Sequence, residues 1–153
     1  MNNKIKVLAV FILACISATS ISENIKQELE MSVSGTFEVK LEPQSDESAP
    51  AGRIVIHKEY SGGMVGKGVG QMISKRTEGG VSVYSAIEEF EGAVNGKAGS
   101  FTFFHNGFMS ASKQSLEIVI VEGSGTRELK GILGRLAIIQ ENGKHSYVLE
   151  YQQ

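Results

Sequence analysis

From Met31 onward the chain alternates. In MSVSGTFEVKLEP, Met31, Val33, Gly35, Phe37, Val39 and Leu41 fall on one face, and Ser32, Ser34, Thr36, Glu38, Lys40 and Glu42 on the other. A strict period of two marks a half-buried strand with one wet face. Pro43 ends it, and QSDESAPAG reads as a loop by composition. The same reading gives strands at Arg53–Tyr60, Val65–Ser74, Gly80–Gly92, Gly99–Gly107, Ser115–Gly123, Gly131–Glu141 and Lys144–Tyr151. No segment between Met31 and Tyr151 carries a period of 3.6. A short helix is expected only at Ile21–Leu29, outside the main body.

Two turns are sharp. Asn95-Gly96 and Asn142-Gly143 are strong hairpin signals, because Asn and Gly tolerate the positive φ of a type I′ turn. Short strands at even spacing predict an all-β domain: a single eight-stranded antiparallel β-barrel, with a two-sheet sandwich as the alternative. Closure also removes the exposed edges that invite aggregation.

The turns fix a register. Around Asn95-Gly96, Val94 faces Lys97, Phe90 faces Phe101, Glu88 faces Phe103 and Ala86 faces His105. One face then holds Tyr84, Ala86, Glu88, Phe90, Phe101, Phe103 and His105. Glu88 and His105 are diagonal neighbours, about 7–8 Å apart at the backbone, so their side chains can meet. Around Asn142-Gly143, Gln140 faces His145 and Ile138 faces Tyr147, with Leu136, Leu149 and Tyr151 on the same inner face. A one-residue slip would exchange every face.

The N-terminus is read apart from the fold. MNNKIK brings two lysines, VLAVFILACI is too short to span a bilayer, and SATSIS follows. Residues 1–20 read as a secretory signal peptide, residues 21–30 as a linker or short helix, and residues 31–153 as the barrel. Ala18-Thr19-Ser20 offers ordinary cleavage. ILAC resembles a lipobox, departing from it at Ile12 and Leu13, and would make 1–14 a lipoprotein signal with Cys15 lipidated. The protein is therefore expected to be exported, either periplasmic or secreted, or else anchored to the membrane by lipid.

Charge and composition remove several function classes. Without Lys4 and Lys6, 13 basic residues stand against 17 acidic ones, a net charge of about −4. No basic patch with interleaved aromatics points to nucleic acid, and no later apolar span points to a transmembrane segment. Cys15 is the only cysteine, so the barrel forms no internal disulfide and no thiolate zinc site. The histidines lie on three different strands without metal-ligand spacing: His57 faces solvent with Arg53, Val55 and Glu59, and His145 lies near a rim. EGSGTRELKG (Glu122–Gly131) does not match a phosphate loop and reads as a tight connection. No Gly-x-Ser-x-Gly elbow occurs. No cofactor is expected.

Chemistry, if present, centres on Glu88 and His105. A carboxylate facing a phenylalanine-lined lumen is expected to have a raised pKa, and a partnered histidine could exchange its proton. Alternatively the two side chains satisfy each other and do nothing more. Gly66, Gly68 and Gly70 share one face, and either leave room for a ligand or allow tight coiling of the sheet.

GTFEVKLEP, AIEEFEGAVNGKAGSFTFFHNG, VEGSGTRELKGILG and GKHSYVLEY occur in this order, and together they resemble an uncharacterised bacterial family, domain of unknown function 3224. The resemblance runs from about Val33 to Tyr151. It implies an allene oxide cyclase-like barrel, related to plant cyclases and dirigent proteins that hold apolar molecules in the lumen. It places Glu88, His105, Gly107, Gly123, Gly125, Thr126, Gly131, His145, Ser146 and Tyr147 at recognisable family positions. The family carries no established activity, and many relatives look cytoplasmic, so the signal peptide is a departure.

Three functions follow as expectations. The first is a barrel binding a small apolar ligand in its lumen through Tyr84, Glu88, Phe90, Phe101, Phe103, His105 and Tyr147. The second is a cyclase or isomerase-type enzyme using Glu88 and His105, with Tyr84 positioning the substrate. The third is a structural or self-associating protein whose lumen is filled by its own side chains, since eight strands leave a lumen just wide enough for them. Binding is favoured over catalysis because no recognisable catalytic set is present. A homo-oligomer remains open.

Overall fold

The computed structural model describes residues 31–153 apart from Asp46, so the signal peptide expected at residues 1–20, Cys15 and the helix expected at Ile21–Leu29 lie outside the described residues. The strands are β1 (Met31–Gln44), β2 (Gly52–Gly62), β3 (Met64–Arg76), β4 (Ser82–Val94), β5 (Lys97–Met109), β6 (Gln114–Ile120), β7 (Leu133–Glu141) and β8 (Lys144–Gln152). They close into one barrel in chain order, with β1 against β8 and every pair antiparallel. The barrel expected from the alternation is the one that forms, rather than the sandwich.

Both hairpins hold the register read from their turns. Phe90 pairs with Phe101, Glu88 with Phe103 and Ala86 with His105. Gln140 pairs with His145 and Ile138 with Tyr147. Asn95 and Asn142 take φ of 49° and 51°, the left-handed conformation the two-residue turns require. β1 runs one residue past Pro43, which pairs with Ile54.

The inward faces fill the barrel. Tyr60, Phe90, Phe101, Phe103 and Tyr147 form its aromatic centre, with neighbouring rings at 4.9–5.7 Å in tilted or edge-to-face contact. The Tyr147 hydroxyl accepts from Met64 N at 2.7 Å and donates to Ser61 O at 3.2 Å, pinning β8 to the β2–β3 turn.

The end of the barrel beside Asn95-Gly96 is plugged by the β6–β7 connection. β6 pairs with β5 only over Phe103–Met109, leaving the first half of β5 without a strand on that side. The connection takes the place of one. Val121 N donates to Thr102 O at 2.9 Å, and Thr126 N to Ser100 O at 2.9 Å. Thr102 N donates to Ser124 Oγ and Ser100 N to Thr126 Oγ1, both at 3.0 Å. A 3₁₀ turn at Arg127–Leu129 then sets Leu129 fully inside, beside buried Ile132. EGSGTRELKG is thus a connection, as read, and also the stopper of one barrel end.

Candidate functional site

The centre of the barrel holds four polar side chains in contact. Lys58 Nζ donates to Glu88 Oε2 at 2.6 Å, and the Tyr60 hydroxyl donates to Glu88 Oε1 at 2.8 Å. His105 Nε2 lies 3.0 Å from Glu88 Oε2, close enough for an ion pair when the imidazole is protonated, but with its N–H out of line for a full hydrogen bond. Exposures of 0 % for Glu88, 2 % for His105 and 5 % for Lys58 put the cluster out of reach of solvent.

Strand geometry explains how these residues meet. Lys58 on β2 and Glu88 on β4 stand two strands apart, about 9–10 Å at the backbone. β3 runs between them, and there it presents glycine: Lys58 pairs with Gly68, and Gly70 pairs with Glu88. A Cβ on Gly68 would run into Glu88 Oε1, and one on Gly70 would press within 3.2 Å of Glu88 Cβ. The inward glycines therefore leave room, but Glu88 of the same chain occupies it. Lys58 also lies over the Phe37 ring, 5.1 Å from its centroid, which offsets part of its lost hydration.

The electrostatics reverse the expectation of a raised carboxyl pKa. Burial alone would lift Glu88, but His105 and Lys58 outweigh it and hold the group down, from 4.5 to about 2. The glutamate is an ionised acceptor, not a protonated acid or a base of raised pKa. Tyr60 moves the other way. Burial and then the Glu88 charge push its phenol far above the usual value, so it stays a donor. Burial also raises Tyr84, and raises Tyr147 against the opposing Met64 N–H.

The candidate residues from the sequence divide by position. Glu88 and His105 meet as expected. Phe90, Phe101, Phe103 and Tyr147 are fully buried in side-chain packing. Tyr84, four residues from Glu88 along β4 and so about 13 Å away, lies over Gly107 near the other barrel end, where a Cβ on Gly107 would strike its ring. His57 is half exposed and 3.5 Å from Glu42, facing solvent as read. His145 stacks on Phe37 with centroids 5.1 Å apart. Lys58 and Tyr60 were not singled out from the sequence. Their signal was parity: both fall in step with Ile54 and Ile56, so a strand that buries those isoleucines also buries the lysine.

A second feature was not visible in the sequence. β6 and β7 are joined by one residue pair, Val119 with Arg135. Cavities lie on either side of that strut. One, of about 610 Å³, is lined by Leu116, Glu117, Ile118, Arg135, Leu136, Ala137, Val148 and Glu150. The other, of about 270 Å³, is bordered by Val119, Leu133, Gly134, Arg135, Tyr151 and neighbouring residues. Among the described residues no three His, Cys, Asp or Glu side chains converge as a metal site.

A protein family described as "Protein of unknown function (DUF3224)" matches residues 33–151. A crystal structure of a protein of unknown function from that family, from Shewanella oneidensis MR-1, is 32 % identical, with a TM-score of 0.74 over 80 % of this chain and 96 % of the other. No curated protein matches the sequence. A match spanning nearly all of the described barrel, together with a neighbour of the same architecture, makes the assignment plain: the chain belongs to the DUF3224 family.

Proposed function

We propose that this barrel binds a small, largely apolar molecule in the cleft between β6 and β7 and not in the centre of the lumen. The observation that carries this is the cleft of about 610 Å³ beside the single Val119–Arg135 pair, a volume within the usual range for ligand sites. Leu116, Ile118, Leu136, Ala137 and Val148 give it an apolar lining. Continuing the register of the strut would pair Ile118 with Leu136 and Glu117 with Ala137. These pairs do not form, so backbone groups there remain available to a ligand. Arg135, Glu117 and Glu150 supply the cleft's charged groups, with Arg135 in register with Glu150, so the polar contacts lie at its edge and the apolar side chains carry most of the lining.

The centre of the lumen supports neither of its earlier roles as well. Side chains of this chain fill it, and Glu88 is sealed and held ionised. A cyclase or isomerase using Glu88 and His105 would need the barrel to open before substrate could reach them. The buried charges favour instead a structural role, fixing which side chains share the interior. The exported location belongs to the same proposal, and the intact mass of protein from its own host reads whether Cys15 carries lipid or the chain is cut after Ser20.

The test uses 1-anilinonaphthalene-8-sulfonate, an apolar anion that fluoresces when shielded from water. Wild type should bind it saturably. Ala137→Trp should weaken binding at least tenfold by filling the cleft, and Arg135→Gln should weaken it severalfold. Because the chain contains no tryptophan, the introduced indole also reports whether any remaining dye sits beside it. Equal binding by all three proteins would rule the cleft out.

A further inference from the structure

The outer wall of β3, β4 and β5 is apolar where an antiparallel barrel facing water should be polar. On β1 the outward residues are Ser32, Ser34, Thr36, Glu38, Lys40 and Glu42. On the β3–β5 wall, Ile73, Ile87 and Phe104 are 52 %, 49 % and 39 % exposed, and Val69, Val83 and Phe108 are also exposed. The register makes them neighbours. Ile87 pairs with Phe104, Val83 with Phe108, and Gln71 opposite Ile87 sets Val69 and Ile73 on its diagonals. A hollow of about 250 Å³ lies among Ile73, Ile87 and Phe104.

Polar groups around this patch are already engaged within the chain. Thr102 Oγ1 donates to Glu89 at 2.8 Å, Lys75 Nζ to Pro50 O at 2.8 Å, and Lys67 pairs with Glu59 at 3.9 Å. Six half-exposed aliphatic and aromatic side chains offer apolar area on the order of 400–500 Å². With Gln71, Ser85, Thr102 and Asn106 between them, the wall approaches the roughly 800 Å² per partner of a stable interface.

We propose that this wall is the two-fold interface of a homodimer. An axis crossing the strands at the level of Ile87 sets Ile87 against Ile87 and Phe104 against Phe104 of the second copy, and Ile73 against Val69. The patch is thus complementary to itself, as an isologous contact requires. Glu89 then meets Ser85 and Glu91 meets Val83, so no carboxylate faces a carboxylate. Lys75 meets Lys67 only at the margin, where both ammonium groups already have partners. This inference stands apart from the β6–β7 cleft, which lies outside the wall.

Sedimentation velocity of the full chain purified from its host tests it. Wild type should run at the mass of a dimer. Ile87→Glu and Phe104→Glu should each raise the dimer dissociation constant by about two orders of magnitude, with an unchanged circular dichroism spectrum. Ile139→Glu, at an exposed position on β7, should leave the dimer intact. A monomeric wild type, wall variants that stay dimeric, or an Ile139→Glu variant that dissociates equally would each overturn the proposal. Should a glutamate variant fail to fold, Ile87→Cys gives an independent reading. On the axis it should oxidise to a covalent dimer while Ile139→Cys does not, and equal cross-linking of the two would reject the interface.

Discussion

The β4–β5 hairpin and the β6–β7 seam are both antiparallel neighbours in one barrel, yet they are closed in opposite ways. Every residue of β4 from Ser82 to Val94 has a partner on β5, and the inner face between them is packed without exposure from Phe90 to Phe103. β6 and β7 share one pair, with a cavity on each side of it. A two-residue turn forces the hairpin to zip from its end. The β6–β7 connection instead departs along β5, bonding to Thr102 and Ser100, so β6 and β7 separate where a hairpin would bring them together. Closing one end of the barrel with a loop is what leaves its side open.

The largest effect that can break this comparison lies on the closed side. Lys58→Met leaves Glu88 buried beside His105 without its main counter-charge and should cost about 3–5 kcal/mol. Adding Glu88→Gln to Lys58→Met should restore at least half of that loss. Urea unfolding of the single and double variants measures the coupling, and a double variant no more stable than the single one would mean the ion pair is not what organises the interior.

Acid gives the next effect. Glu88 is depressed from 4.5 to about 2, so its contribution is fully present above pH 4.5 and is lost as the pH falls from there towards 2. A shift of that size corresponds to on the order of 3 kcal/mol. Thermal melts at descending pH should show wild type losing stability through this window more steeply than Glu88→Gln. Parallel curves would contradict the depressed pKa.

Packing supplies the smaller effects. Gly68→Ala places a methyl group on Glu88 Oε1 and should cost about 1–3 kcal/mol. Ala137→Val, at the exposed lip of the seam, should change stability by no more than about 0.5 kcal/mol. Similar losses at the two sites would remove the distinction between a filled interior and an open flank.

How much of this was legible in the sequence follows the same division. Local signals sufficed where they existed: Asn95-Gly96 and Asn142-Gly143 set two registers, and alternation from Met31 to Leu41 assigned a face to each residue. Glu88 and His105 were placed together on that basis. Lys58 was also within reach, since it shares the parity of Ile56 and Tyr60, but its charge draws attention away from a buried position. The direction of the Glu88 shift is not legible from burial alone, because His105 and Lys58 together outweigh desolvation. The seam had no local signature. SLEIVIVEG and GILGRLAIIQE alternate like any paired strands, and their separation depends on where the connection goes, which is a property of barrel closure.

Hydrogen–deuterium exchange of the wild-type protein at neutral pH, resolved to single amides, tests the open seam most directly. Alternate amides of Leu116–Ile118 and Gly134–Ile138, those aimed across the seam, should exchange at least 100-fold faster than amides of Glu88–Phe90 and Phe101–Phe103. Uniform protection across both regions would mean that β6 and β7 are zipped in solution, and that no open cleft lies between them.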